Sequence, residues 1–212
     1  MPAPAAPVAE ATAATDHQLV VGRWGVEARS LARGELKRSA GNDLACNDNC
    51  PIAINSIGVR RWVSPRYAWS AGLAFGTGGG SRYVAEKGTV QSWDTYLGVG
   101  PTLGASFLLT DWKHLAVSFS PQLDALFFMP RSSGSKTFVL DVRGLVEGEL
   151  HLGFIDLPQL SVGLASGFVA SLKTVSQSKT TPTGTATQWS IGFSGPQTFW
   201  GLVTNMYLRF YF

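Results

Sequence analysis

Phe138-Val-Leu-Asp-Val-Arg-Gly-Leu-Val-Glu-Gly-Glu-Leu-His-Leu152 decides the fold class. Read by twos, Phe138, Leu140, Val142, Val146, Leu150 and Leu152 fall on one face, with Gly144 and Gly148 among them. Asp141, Arg143, Glu147, Glu149 and His151 fall on the other. A period of two marks a strand with two different faces. Wound as a helix of about 3.6 residues per turn, the segment would scatter its charges round the cylinder.

The alternation recurs outward from this stretch. Val20, Trp24, Val26 and Ala28 oppose Arg23, Glu27 and Arg29 in Leu19–Ser30. Tyr67, Trp69, Ala71, Leu73 and Phe75 oppose Ala68, Ser70, Gly72 and Ala74. Tyr96–Leu109, His114–Phe127 and Leu160–Leu172 repeat the pattern, with Gly, Ala and Ser on the less apolar side. Ile52–Val63 is ambiguous in phase. With Ile57, Val59 and Val63 outward, Arg60 turns inward. Phe199–Phe212 is the last segment. The links Ser64–Arg66, Thr110–Lys113 and Phe154–Gln159 are short, Pro130–Lys136 is intermediate, and Arg33–Pro51, Thr77–Ser92 and Lys173–Pro196 are long.

Composition says what encloses these strands. Only 15 % of the 212 residues are charged, against about 25 % in ordinary soluble domains. Mean hydropathy is +0.10, and no run supplies the ~20 apolar residues of a spanning helix. A chain short of charge yet without a helical span is expected to be an all-β, eight-stranded, antiparallel up-and-down transmembrane barrel, apolar outside. A soluble barrel with an apolar interior would carry a Lys/Glu-rich exterior. Here the non-apolar face is mostly Gly, Ala and Ser. Short turns alternating with long loops predict both termini in the periplasm and the long loops outside the cell. Residues 1–17, Ala/Pro-rich at the start, read as a flexible periplasmic lead-in, and residues 18–212 as the barrel.

Parity assigns Arg23, Glu27, Arg29, Arg60, Asp124, Asp141, Arg143, Glu147, Glu149 and Arg209 to the lumen. An eight-stranded barrel is just wide enough for side chains to fill it, and buried charges must pair. A cross-strand ion network is therefore expected. Glu27 and Arg29 are expected with Asp124, Asp141 and Arg143 from mid-height upward; Arg23 and Arg60 are expected with Glu147, Glu149 and Arg209 lower down. A packed plug is the first reading, and a narrow polar path that opens on rearrangement is the second. Outward Trp69, Tyr67 and Phe212 are expected at the periplasmic edge, and Phe127 and Phe199 at the outer edge, as interfacial girdles.

Other chemistry is sparse. The net charge is +3 with no long basic cluster, so nucleic acid is not an expected partner. Cys46 and Cys50 lack further ligands for zinc; a disulfide closing a small loop is the reading. Asp43, Asn47, Asp48 and Asn49 offer oxygens, but not at EF-hand spacing. No metal and no cofactor is expected. The three histidines, His17, His114 and His151, all map to the periplasmic end, and there is no Gly-x-Ser-x-Gly elbow. An enzyme is therefore not expected, an interfacial lipid enzyme being the residual case, and His151 is read as a member of the lumen network. Lys173–Gln188, rich in Thr and Ser, reads as a mobile loop.

The chain ends Tyr207-Leu-Arg-Phe-Tyr-Phe212, with Met206, Leu208, Phe210 and Phe212 on one face. This resembles the C-terminal assembly signal of bacterial outer-membrane barrels. In strand number the chain is similar to small OmpA/OmpX-type barrels. The resemblance implies outer-membrane lipid and lipopolysaccharide as surroundings and the barrel-assembly machinery as a biogenesis partner. The function expected is that of a closed barrel acting through its surface loops on an unnamed partner or as a structural protein. A porin-like passive channel is the alternative.

Overall fold

The computed structural model describes residues 14–32, 53–84, 89–130, 136–177, 184–194 and 205–212. Helix α1 (Asp16–Val20) precedes nine strand segments. They are β1 (Trp24–Ala32), β2 (Ala53–Ser64), β3 (Tyr67–Val84), β4 (Thr89–Asp111), β5 (Leu115–Pro130), β6 (Lys136–Leu152), β7 (Leu157–Gln177), β8 (Gly184–Ser194) and β9 (Asn205–Tyr211). Each of β1 to β7 pairs antiparallel with the next, and β9 pairs with both β7 and β1 to close the barrel.

β8 and β9 occupy one place in the wall. β8 runs along the far part of β7, from Gln177↔Gly184 to Gly167↔Ser194. β9 continues along the near part, from Ala165↔Asn205 to Leu160↔Phe210. One β7 residue, Ser166, separates the two pairings. The barrel is thus eight strands round, with the eighth in two collinear pieces. The expected last strand, Phe199–Phe212, is seen from Asn205 onward.

Two expected loops are largely strand. β3 and β4 stay paired up to Val84↔Thr89, so Thr77–Val84 and Thr89–Ser92 are strand. Lys173–Gln177 pairs with Gln188–Gly184, which corrects the mobile-loop reading of those residues. The physical reason is that Thr, Ser and Gly on both faces erase the alternation that marks a strand with unlike faces. The backbone ladder does not need that contrast.

At the other end, Leu19 and Val20 belong to α1 rather than to a first strand. Thr15 and Gln18 form a capping box: the Thr15 hydroxyl accepts from the Gln18 amide, and the Gln18 side chain accepts from the Thr15 amide. That reciprocal pair satisfies two amides the helix would leave bare. Gly22, at φ +83°, turns the chain into β1. The boundary expected at residue 17 falls inside this packed helix.

The two faces of the wall have opposite chemistry. Val26, Ile57, Val59, Val63, Leu73, Phe75, Leu103, Phe107, Leu123, Val142, Val146, Leu164 and Leu208 are exposed on the outside. Glu27, Arg29, Arg60, Asp124, Asp141, Arg143, Glu147, Glu149 and Arg209 are buried inside. The phase read for β2 is the one observed, with Arg60 inward. Met206, Leu208, Phe210 and Phe212 line the outer face of β9 and the residue after it. Among the described residues, no helix is long and apolar enough to cross a membrane.

Candidate functional site: an ion-paired lumen with a helical seal

Arg209, inward on β9, is the hub of the larger of two charge clusters. Its Nε donates to Glu27. Its Nη2 donates to Glu147 Oε2 at 2.9 Å and its Nη1 to Glu149 Oε2 at 2.7 Å. Arg60 Nη1 reaches the same Glu147 oxygen at 3.0 Å. Arg29 Nη2 bridges Glu147 Oε1 at 3.1 Å and Glu27 Oε1 at 3.0 Å. Three arginines from β1, β2 and β9 thus meet three glutamates from β1 and β6, so the cluster is neutral. Charge-assisted bonds of this kind are about twice as strong as neutral ones, and here they tie β9 and β2 to β6 across the bore.

Neutral groups complete the hub. Ser161 Oγ donates to Glu149 Oε1 at 2.6 Å and the Tyr211 hydroxyl to the same oxygen at 3.0 Å. Tyr207 lies under Arg209, 3.6 Å from ring centre to guanidinium carbon, and donates to the Gly148 carbonyl at 3.2 Å. The ring fills the space above Gly163, where any Cβ would collide with it. Trp62 stacks at 4.8 Å from the Arg60 guanidinium.

The second cluster sits farther from α1. Arg143 Nε pairs with Asp124 at 2.9 Å and Nη2 with Asp141 at 3.1 Å, while Ser171 Oγ donates to Asp141 at 2.6 Å. Beyond it Ala74, Leu126, Phe128 and Val139 form a buried apolar cluster. The space bordered by Glu27, Arg29 and Asp124, between the two charge clusters, is a cavity of 10 Å³, room for about one water.

Parity therefore identifies nine of the ten expected network members, and their grouping differs in two ways. Arg23 is exposed: it precedes β1, in the turn after α1, where strand alternation no longer fixes a side chain's direction. Glu27 and Arg29 join the lower cluster, because strands tilt and stagger in a closed barrel. Equal distance from a turn is then not equal height. Tyr207, Tyr211 and Ser161 share the inward parity of Arg209 and Glu149, which was the available signal. Trp62 had the parity of Arg60.

α1 seals the near end of the bore. Val20 packs with Trp62, Ala68 and Tyr211. His17 meets Trp62 edge-on at 4.4 Å, and its Nε2 donates to the Pro65 carbonyl at 2.9 Å. That bond leaves Nδ1 buried with no partner. Burial holds the His17 pKa below its ordinary 6.5, against the opposing pull of the Pro65 carbonyl and of Glu149 and Asp111. Asp16 contacts His114 Nδ1 at 2.6 Å and Thr15 donates to Asp111 at 2.6 Å, fastening the start of the helix to the barrel rim. His151, also at this end, contacts Glu149 at 4.0 Å. All three histidines lie at this end of the barrel.

Among the described residues no group of three or more His, Cys, Asp or Glu is arranged to hold a metal. Cys46, Cys50, the Asp43–Asn49 oxygens and Phe199 lie outside the described residues. Trp69, Tyr67 and Phe212 lie at the α1 end of the outer face and Phe127 toward the other. Set beside known protein families, curated proteins and solved structures, the chain matches none.

Proposed function

We propose that this chain is an integral β-barrel of a bacterial outer membrane, with a closed lumen, acting through its long-loop end or as a structural element of that membrane. The observation that carries the reading is the inverted wall, apolar outside and ion-paired inside. In water such a wall would expose a continuous apolar belt, which soluble monomers avoid. In lipid it satisfies every backbone group within the closed sheet. On β5 the outward apolar residues run from Leu115 to Met129. Fourteen steps at about 3.3 Å and a tilt of about 45° give a band roughly 33 Å tall, enough to cover the ~25 Å belt of such barrels. In this reading α1 and both termini face the periplasm, and the β3–β4 and β7–β8 hairpins project outward. Lipid and lipopolysaccharide surround the wall, and the terminal strand is what the assembly machinery engages.

The packed charge clusters, the one-water gap and the α1 seal weigh against conduction. Folding the protein into phosphatidylcholine vesicles tests both parts. The expected result is a barrel protected from added protease, heat-modifiable on gels, with negligible single-channel conductance in a planar bilayer. Failure to insert would overturn the membrane assignment. A large steady conductance would overturn the closed lumen alone.

A further inference from the structure

Among outward-facing strand residues whose side chains are described, two carry charge: Lys136 at the far end of β6, and Arg61, low on the wall in β2. Arg61 is paired in register with Trp24 on one side and Trp69 on the other. Its guanidinium lies 5.3 Å from the Trp24 ring, and the two indoles meet edge-to-face at 5.3 Å. Arg61 is half-buried, and its Nε is buried with no hydrogen-bond partner. We propose that Arg61, framed by Trp24 and Trp69, binds the phosphate of a phospholipid headgroup in the inner leaflet of the membrane. This rests on the membrane reading above.

The charge pattern of the sector supplies the complement. Arg23 and Arg66 are exposed at the same rim, on either side of Arg61 in the chain. From Arg23 to Tyr67 the described residues contain one carboxylate, Glu27, and it is committed to the lumen. A guanidinium stays charged at any working pH and presents a planar fork that suits phosphate oxygens. Facing a wall of Val59, Val63 and Tyr67, it cannot be solvated by hydrocarbon, and a charge there is costly unless it reaches the interface or finds a partner. The indoles hold the side chain at that level, where Trp is favoured. The apolar wall beside the site gives acyl chains a surface, which a free phosphate would leave uncovered. A lipid phosphate therefore fits both halves of the site.

Native mass spectrometry of the folded barrel in a non-ionic detergent, titrated with dioleoyl phosphatidylglycerol, tests this. Wild type is expected to retain the lipid, and Arg61→Gln to retain it roughly tenfold more weakly, as befits one lost charge-assisted contact. Arg61→Lys should fall between. Wild type should not retain diolein, which has the chains without the phosphate; this arm needs no variant and stands even if Arg61→Gln folds poorly. Equal retention by wild type and Arg61→Gln would overturn the site. Displacement of the lipid by millimolar inorganic phosphate would reassign it to free anions. Protein that binds no lipid yet inserts into vesicles refutes the site alone; protein that fails to insert refutes the membrane reading.

Discussion

Arg209 and Arg143 are both buried in the bore, yet they are not equivalent. Arg209 serves three carboxylates from two strands and rests on Tyr207; Arg143 serves two. Removing one side of a buried pair costs on the order of 3–5 kcal/mol, because the partner stays buried and charged. Arg209→Ala is expected to reach or exceed that range, and Arg143→Ala to reach its lower end. Val142→Ala, next to Arg143 but half-exposed on the outer face at 53 %, removes apolar area alone and should cost less than either. Urea unfolding midpoints in detergent rank the three, and a Val142→Ala shift as large as that of Arg209→Ala would contradict the order. At this scale the sequence is legible wherever a residue sits inside a ladder. Parity puts Glu147 and Arg60 in the bore without any structure. It fails for Arg23, one residue before its ladder begins.

α1 shows what period-two reading cannot see. Its five residues are too few to show a helical repeat, and Val20 fits a strand's apolar face as well as a helix's. The capping box Thr15-Asp-His-Gln18 was the legible sign of a helix start. Heights in the bore were not legible, because stagger is a property of the closed sheet and not of one strand. The helix also gives the near end a pH dependence. His17 is held below its ordinary 6.5 chiefly by burial, with Asp111, Glu149 and His151 facing it from the barrel and Asp16 paired to His114 beside it. A lowered value means that the docked helix resists the proton which the undocked helix accepts. Docking is then complete above 6.5 and weakens as pH falls below it, until the docked value is passed. Amide exchange at residues 15–20, corrected for intrinsic rates, should rise from about pH 8 to about pH 5, across the histidine range. His17→Phe, which keeps a ring against Trp62, should flatten the rise. A rise of the same size in His17→Phe would place the sensitivity elsewhere.

Across the whole molecule the two devices stand in series along one bore. α1 with Trp62 and Tyr211 closes the near end, and the Arg209 cluster crosses the bore just beyond it. They are linked, since Tyr211 belongs to both: it packs against Val20 and donates to Glu149. They are not redundant in what they hold. Removing residues 1–20 strips one fully buried valine, about 1.5–3 kcal/mol of apolar burial, together with the Thr15, Asp16 and His17 contacts, but leaves every arginine–glutamate pair in place. That truncated barrel should be less stable and still non-conducting. Arg209→Ala in the full chain loosens the inner barrier while the helix still covers the mouth, so it too should conduct little. Only the two changes together leave Glu27, Glu147 and Glu149 facing an unsealed mouth with Arg29 and Arg60 as their remaining cations. The combination should let small cations reach these carboxylates from the near end, while the Arg143 pairs and the cluster of Ala74, Leu126, Phe128 and Val139 still fill the bore beyond and keep conductance negligible. Planar-bilayer recordings of the four proteins decide it. Conductance from truncation alone would mean that the helix is the only barrier and that the ion pairs merely line a pore.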